Sequence, residues 1–228
     1  MKIGIICAMK EELAPLLDRL SGCRETVIAG HSFFAGTLAG KDVVLTVSGI
    51  GKVQSALTAT LAICALDVKA VINTGSAGGL KPACELSIGD VVVSSAVAYH
   101  DVDLTNFGYK PGQLPEHARF FRPDERLQKI ALSCQDARLH SGLVVSGDQF
   151  VCTAKQHESI VSSFPDAMVC EMEGAPIGHV CSEFQIPFLV IRSVSDTADH
   201  ESSVKFEEFL PVAASNSSAI AMHLLENL

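Results

Sequence analysis

The stretch 168-MVCEMEGAPIGHVCSEFQIPFLVIRSVSDTAD-199 holds two short apolar runs, each ending in acid. Residues 168–170 stop at Glu171, Met172 and Glu173, and residues 188–191 run on through Arg192, Ser193 and Val194 to Ser195 and Asp196. Between them, residues 177–184 have a helical pattern. Strand, helix, strand predicts a right-handed crossover joining parallel strands, so that both acidic ends leave the sheet at one edge. In open α/β sheets that edge is where ligands bind. A structural reading also exists, in which Glu173 suits the dipole at a helix N-terminus and Asp196 caps a turn. Their position directly after apolar runs favours function, because an unpaired carboxylate there is costly.

Beyond that stretch, 228 residues allow one large domain whose core needs no disulfide or metal, and no break in composition asks for a second. The domain is therefore expected to span 1–228. Hydrophobic residues make up 48% of the chain, yet no run approaches the roughly 20 apolar residues of a membrane span. The short apolar run at the start is soon followed by Glu11 and Glu12, unlike a signal peptide, and a cytoplasmic protein is expected. Eight cysteines, without a Cys-x-x-Cys pair, read as buried free thiols. The eight histidines are scattered, His100 with Asp101 and Asp103 reads as structural, and neither metal nor cofactor is expected. With a formal charge of -9 and no basic stripe, nucleic acid and anionic membranes are disfavoured partners. The substrate should be small and not strongly anionic.

Taken in order, residues 2–7 read as a buried first strand, and Leu13, Leu16, Leu17 and Leu20 mark one face of the helix that follows. Met9 and Glu12 then sit at the strand-to-helix junction, where Glu11 and Glu12 also have a plain reading as first-turn acids. Residues 27–29, 32–38 and 43–47 read as an antiparallel meander. Gly49-Ile50-Gly51-Lys52 leads into a helix with Val53, Leu57, Leu61 and Cys64 on one face. A phosphate loop would need glycine at position 46 and a hydroxyl at 53, which hold Thr46 and Val53. Residues 70–73 form a buried strand feeding a glycine-rich turn, 74–79, that is neither a dinucleotide fingerprint nor a hydrolase elbow; Pro82 argues against a helix beyond it. A strand at 91–99, a loop carrying Phe107, a helix at 124–137, a strand at 142–146 and a turn at 147–151 follow. Phe107 reads equally as local core or as an aromatic offered to a partner. The chain closes with a short helical piece at 202–210 and a second helix restarted by Pro211. This alternation specifies an α/β class with three layers.

Together, Ala8-Met9-Lys10-Glu11-Glu12, Ser48-Gly49-Ile50-Gly51-Lys52, Asn73-Thr74-Gly75-Ser76-Ala77-Gly78-Gly79, Ser146-Gly147-Asp148-Gln149-Phe150, Glu171-Met172-Glu173 and Ser195-Asp196 resemble the bacterial 5'-methylthioadenosine/S-adenosylhomocysteine nucleosidases. The likeness runs in order through nearly the whole chain. It implies a three-layer α/β/α domain with a central mixed sheet, in which Asp196, set by Ser195, protonates adenine N7 and Glu12 is the general base on water. It also implies that Glu173 holds the ribose hydroxyls, with Met172 under the sugar, Phe150 stacked on adenine and the Val151 backbone reading its edge. Met9, Ile50, Ser76, Ala77, Gly78, Glu171 and Phe206 would line the rest. Phe107 would reach the neighbouring subunit's pocket in a homodimer.

The residue types suit that chemistry on their own account. Breaking an N-ribosyl bond leaves positive charge on the sugar and negative charge on the purine, so an acid near the base and a carboxylate near the sugar act where charge develops. Two acids on opposite faces fit attack by water with inversion. Arg192, if buried, needs a carboxylate partner and is expected to orient Glu12 or the water; exposure at a frayed strand end is the other reading. Phosphorolysis and binding without catalysis are the alternatives: the related phosphorylases carry arginines where this chain has Lys10 and Asn73, which speaks against the first, and Glu12, Glu173 and Asp196 together speak against the second. Cys7 and Gly174-Ala175-Pro176 depart from the family pattern, and a late start is expected for the helix after Glu173.

Overall fold

A computed structural model describes residues 1–81, 85–135, 137–198 and 202–228. The strands are β1 (Ile3–Cys7), β2 (Ser21–Ile28), β3 (His31–Leu38), β4 (Lys41–Val47), β5 (Ala70–Gly79), β6 (Val91–Tyr99), β7 (Leu139–Ser146), β8 (Ala167–Glu171) and β9 (Phe188–Asp196). The helices are α1 (Lys10–Leu17), α2 (Lys52–Leu66), α3 (Glu125–Leu132), α4 (Ala154–Ser163), α5 (Gly174–Glu183) and α6 (Ser202–Asn227). They build one mixed sheet in the order β2-β3-β4-β1-β5-β8-β7-β6-β9, and a further β5–β9 pairing closes its second half on itself.

β1 and the first halves of β5 and β9 are apolar runs because both of their faces are covered. On one side Ile3, Ile5, Leu45 and Ile72 meet Leu13 and Leu16 of α1, Leu127 of α3 and Leu224 of α6. On the other, Ile6, Val44, Val71 and Val190 meet Ala59 and Ala62 of α2 and Ala175, Ile177 and Cys181 of α5. Neighbours such as Ile5 and Ile6 part company because strand side chains alternate. Truncating Leu16, which is fully buried, to alanine should cost about 2–5 kcal/mol. Among the described residues, no helix is long and apolar enough to cross a membrane.

Several expectations need correction. β8 and β9 are not paired parallel strands: β9 runs parallel to β5, β8 pairs antiparallel with its end, and β8 lies parallel to β7. Their acids meet because the sheet closes, with Gly78 opposite Cys170 on one side and Asp196 on the other. The glycine run 74–79 is strand, not turn. Helix α5 starts at Gly174 rather than late, since Pro176 occupies its third position, where an N–H would lack an intrahelical acceptor anyway. Helix α6 continues through Pro211; Ala213, Ala214, Ala221 and Leu225 are buried beyond it and hold the helix in place. α4 was missed, although Thr153 and Gln156 form a capping box at its start.

Of the apolar face foreseen on α2, Val53 and Leu57 are 76% and 41% exposed and Leu61 packs against the core, while Ser55, Thr58, Ala59 and Ala62 are buried. Cys7, Cys170 and Cys181 are buried free thiols, but Cys23 and Cys64 are exposed. Pro82, Cys84 and Asp199 lie outside the described residues.

Candidate active site

β1 hands the chain to α1 at Met9, whose extended backbone caps the helix. Glu12 folds back from the first turn, and its Oε2 accepts the N–H groups of Ala8 and Met9 at 3.0 and 3.1 Å. Its Oε1 accepts the N–H and hydroxyl of Ser76 at 2.9 and 2.8 Å. Four hydrogen bonds thus hold a carboxylate that is 1% exposed and still lines the cavity, which is how its burial is tolerated.

The glycines of β5 are there for close approach. A Cβ on Gly75 would stand 2.6 Å from Glu12 Oε1 and 2.7 Å from Arg192 Nη1, and one on Gly78 would stand 3.1 Å from Asp196 Oδ1. Neither residue has a positive φ. Asp196, the last residue of β9, accepts the Ser195 hydroxyl on Oδ2 and the Ala198 N–H on Oδ1, both at 2.9 Å. Glu12 thus presses on the strand at Gly75 and Asp196 at Gly78, and both line the same cavity.

β8 and the start of α5 carry the second pair of acids. Glu171 accepts the N–H groups of Glu173 and Gly174 at 2.9 and 2.8 Å on Oε2, together with the Ser146 hydroxyl on Oε1 and the Arg192 guanidinium on Oε2. It borders the cavity with its oxygens already engaged. Glu173 accepts the Gly51 N–H at 2.9 Å and Arg192 Nη2 at 3.3 Å. Burial pushes its carboxyl up to about 7; Arg192 pulls the other way and the Glu171 charge adds to the rise.

Arg192 is fully buried rather than frayed, and its carboxylate partners are Glu171 and Glu173. It also donates to Asn73 Oδ1 at 2.7 Å and to the Ser76 carbonyl at 3.2 Å. Burial works against its charge, but the three surrounding glutamates outweigh burial and raise its pKa. It feels the Glu12 charge directly and is linked to it by hydrogen bonds through Ser76, which Glu12 grips from the other side.

These groups surround a cavity of about 360 Å³, within the range of small-molecule pockets. Glu12, Glu171, Glu173, Arg192, Ser195 and Asp196 form its polar wall. Met9, Ile50, Ser76, Ala77 and Gly78 line it from the α1 and β5 side. Phe150, Val151, Met172 and Phe206 complete it, and the rings of Phe150 and Phe206 meet edge to face at 5.8 Å. Every residue foreseen for the site is there except Phe107, which ends a short 3-10 helix, is 78% exposed and does not border the cavity.

Ala8, Gln149 and Cys170 also line the cavity and were missed, as were the supports Asn73 and Ser146. A polar Asn73 closing the apolar run Ala70-Val71-Ile72 was a usable signal. Lys52, which suggested an anion loop, is tied to Asp101 at 2.6 Å. Among the described residues lining the cavity, Arg192 is the one cation, and it is paired.

A closed mixed sheet whose glycine-rich strand passes between buried carboxylates defines a phosphorylase-type α/β protein, and the family model described as the phosphorylase superfamily matches residues 2–226. The 5'-methylthioadenosine/S-adenosylhomocysteine nucleosidase of Shewanella sediminis is 47% identical over 232 aligned positions, covering 100% of both chains. The crystal structure of the nucleosidase of that name from Colwellia psychrerythraea 34H, in complex with adenine, matches with a TM-score of 0.96 at 44% identity over 100% of this chain and 96% of that one. The futalosine hydrolase of Helicobacter pylori matches with a TM-score of 0.95 at 38% identity, over 100% and 98% of the two chains. The chain belongs to the phosphorylase superfamily, in its 5'-methylthioadenosine/S-adenosylhomocysteine nucleosidase branch.

Proposed function

We propose that this chain, acting as one domain over 1–228, hydrolyses the N-ribosyl bond of 5'-methylthioadenosine and S-adenosylhomocysteine and releases adenine. Asp196 delivers a proton to N7 as the bond from C1' to the purine breaks and its electron pair leaves with the base. Water attacks C1' from the other side of the sugar and gives its proton to Glu12. Glu173 accepts the ribose 2'- and 3'-hydroxyls, and Met172 and Phe150 pack against sugar and base. Arg192 holds Glu171 and Glu173 in place and, through Ser76, steadies Glu12.

The observation that carries hydrolysis over phosphorolysis is the state of Arg192. A bound phosphate dianion needs cations around it, and the cavity's cation is already paired with Glu171 and Glu173. The likeness to futalosine hydrolase favours an adenine nucleoside with a larger 5' group, such as aminofutalosine, as a second substrate. Exposed Phe107 and the outward Val53 and Leu57 support a homodimer in which Phe107 enters the neighbour's 5' pocket. A cytoplasmic location goes with this reading.

The test is adenine release from 5'-methylthioadenosine by the purified protein, with and without inorganic phosphate. Equal rates and free 5-methylthioribose are expected. A requirement for phosphate, with a sugar 1-phosphate as product, would overturn hydrolysis, and no release in either condition would overturn the substrate assignment.

A further inference from the structure

At the end of α5 away from Glu173, about 15 Å along the helix axis, three side chains turn toward one another. His179 and Glu183 stand one helical turn apart, and His117 comes in from the loop before α3. His179 Nε2 lies 3.3 Å from His117 Nδ1, His117 Nδ1 lies 3.4 Å from Glu183 Oε1, and His179 Nε2 lies 3.9 Å from Glu183 Oε1. In tetrahedral zinc coordination with bonds of about 2.0–2.1 Å, neighbouring donor atoms are about 3.3 Å apart. Two of the three observed separations match that edge, and the third needs a small rotation of Glu183, which is exposed enough to make it.

We infer that His117, His179 and Glu183 form a binding site for a divalent transition ion of the zinc class, with the fourth position open to water. Two imidazoles and a carboxylate make a donor set that suits zinc, where calcium and magnesium prefer oxygen alone. The site has a supporting shell. With Nε2 on the ion, His179 keeps its proton on Nδ1 and donates it to the Tyr99 hydroxyl, 3.1 Å away. Phe121 stacks flat on the same ring at 4.5 Å and 18°, which fixes its plane. No linear spacing announces the site, because His117 and His179 are 62 residues apart and meet only in the fold. An ion here would clip the 108–124 loop to α5 without touching the cavity, whose lining contains none of the three.

The test uses the full-length protein, stripped with a chelator and titrated with zinc. One ion per chain is expected, with uptake lost in His179→Ala and His117→Ala, and weakened about tenfold in Tyr99→Phe. Basal adenine release should be unchanged in all three. Cobalt replacement in the unaltered chain should give tetrahedral visible bands without a thiolate charge-transfer band. A thiolate band, or uptake undiminished in both histidine variants, would put the ion on thiols such as exposed Cys23 and Cys64 and overturn the site. Absence of stoichiometric uptake would reduce the cluster to a histidine pair joined by a hydrogen bond.

Discussion

In the cavity, Glu12, Glu171, Glu173, Arg192 and Asp196 are all at most 8% exposed, whereas on the outer face of α2 Val53 and Leu57 stand in solvent while Ser55 and Thr58 lie inside. Both regions reverse the ordinary relation between polarity and burial, and they resolve the reversal differently. The cavity's charges are satisfied within the chain by backbone N–H groups, hydroxyls and one guanidinium. Among the described residues, nothing covers Val53 and Leu57 on the α2 face. On the proposed reading, the cavity's acids and guanidinium come from one copy, while the exposed α2 face and Phe107 are offered to a second.

The largest effects should come from breaking the cavity's side of that contrast. Asp196→Asn should fold and lose about 10² to 10⁴ in kcat; undiminished turnover in that variant removes Asp196 as the acid. Glu12→Gln should bind a nucleoside analogue with little change in Kd and lose hydrolysis to a similar degree. If binding falls as far as turnover does, Glu12 is a ligand and not a base.

On the outer side, Leu57→Glu should shift the protein toward monomer in sedimentation. Phe107→Ala, by removing one aromatic anchor, should raise KM for 5'-alkylthio substrates about tenfold. Kinetics indifferent to both changes would mean the two regions are uncoupled.

The last effect concerns pH and bears on stability rather than on turnover. Because burial raises Glu173 from 4.5 to about 7, the folded chain binds a proton that the unfolded chain has released. Its contribution to stability is full below about 4.5 and is lost as pH rises to about 7. This is worth at most roughly 3 kcal/mol. Wild-type Tm measured across that window should fall more steeply than that of Glu173→Gln. Identical slopes would show that Glu173 is not the group titrating.

Much of this was legible in the chain because polar residues in apolar runs are conspicuous. Asp196 ends a nine-residue buried strand, and Arg192 inside the same strand required carboxylates, which Glu171 and Glu173 supply. What could not be read was closure. Strand, helix, strand predicts a parallel crossover, but β5 is long enough to pair with β9 along most of its length and with β8 at its tip. In the sequence the glycine run reads as a turn because glycine is permissive, whereas the reason for it is the pressure of Glu12, Arg192 and Asp196 on the strand. Likewise the apolar repeat of α2 was visible, but not which way it faces, since periodicity records a stripe and not its partner.

The account rests on water being activated by Glu12 on the side of the sugar opposite the departing base. The most direct measurement is the anomeric configuration of 5-methylthioribose as first released, read by NMR before mutarotation. Direct attack by water predicts the inverted, α anomer. Initial formation of the β anomer would mean that a carboxylate of the site first bonds to the sugar, and would contradict Glu12 as a general base.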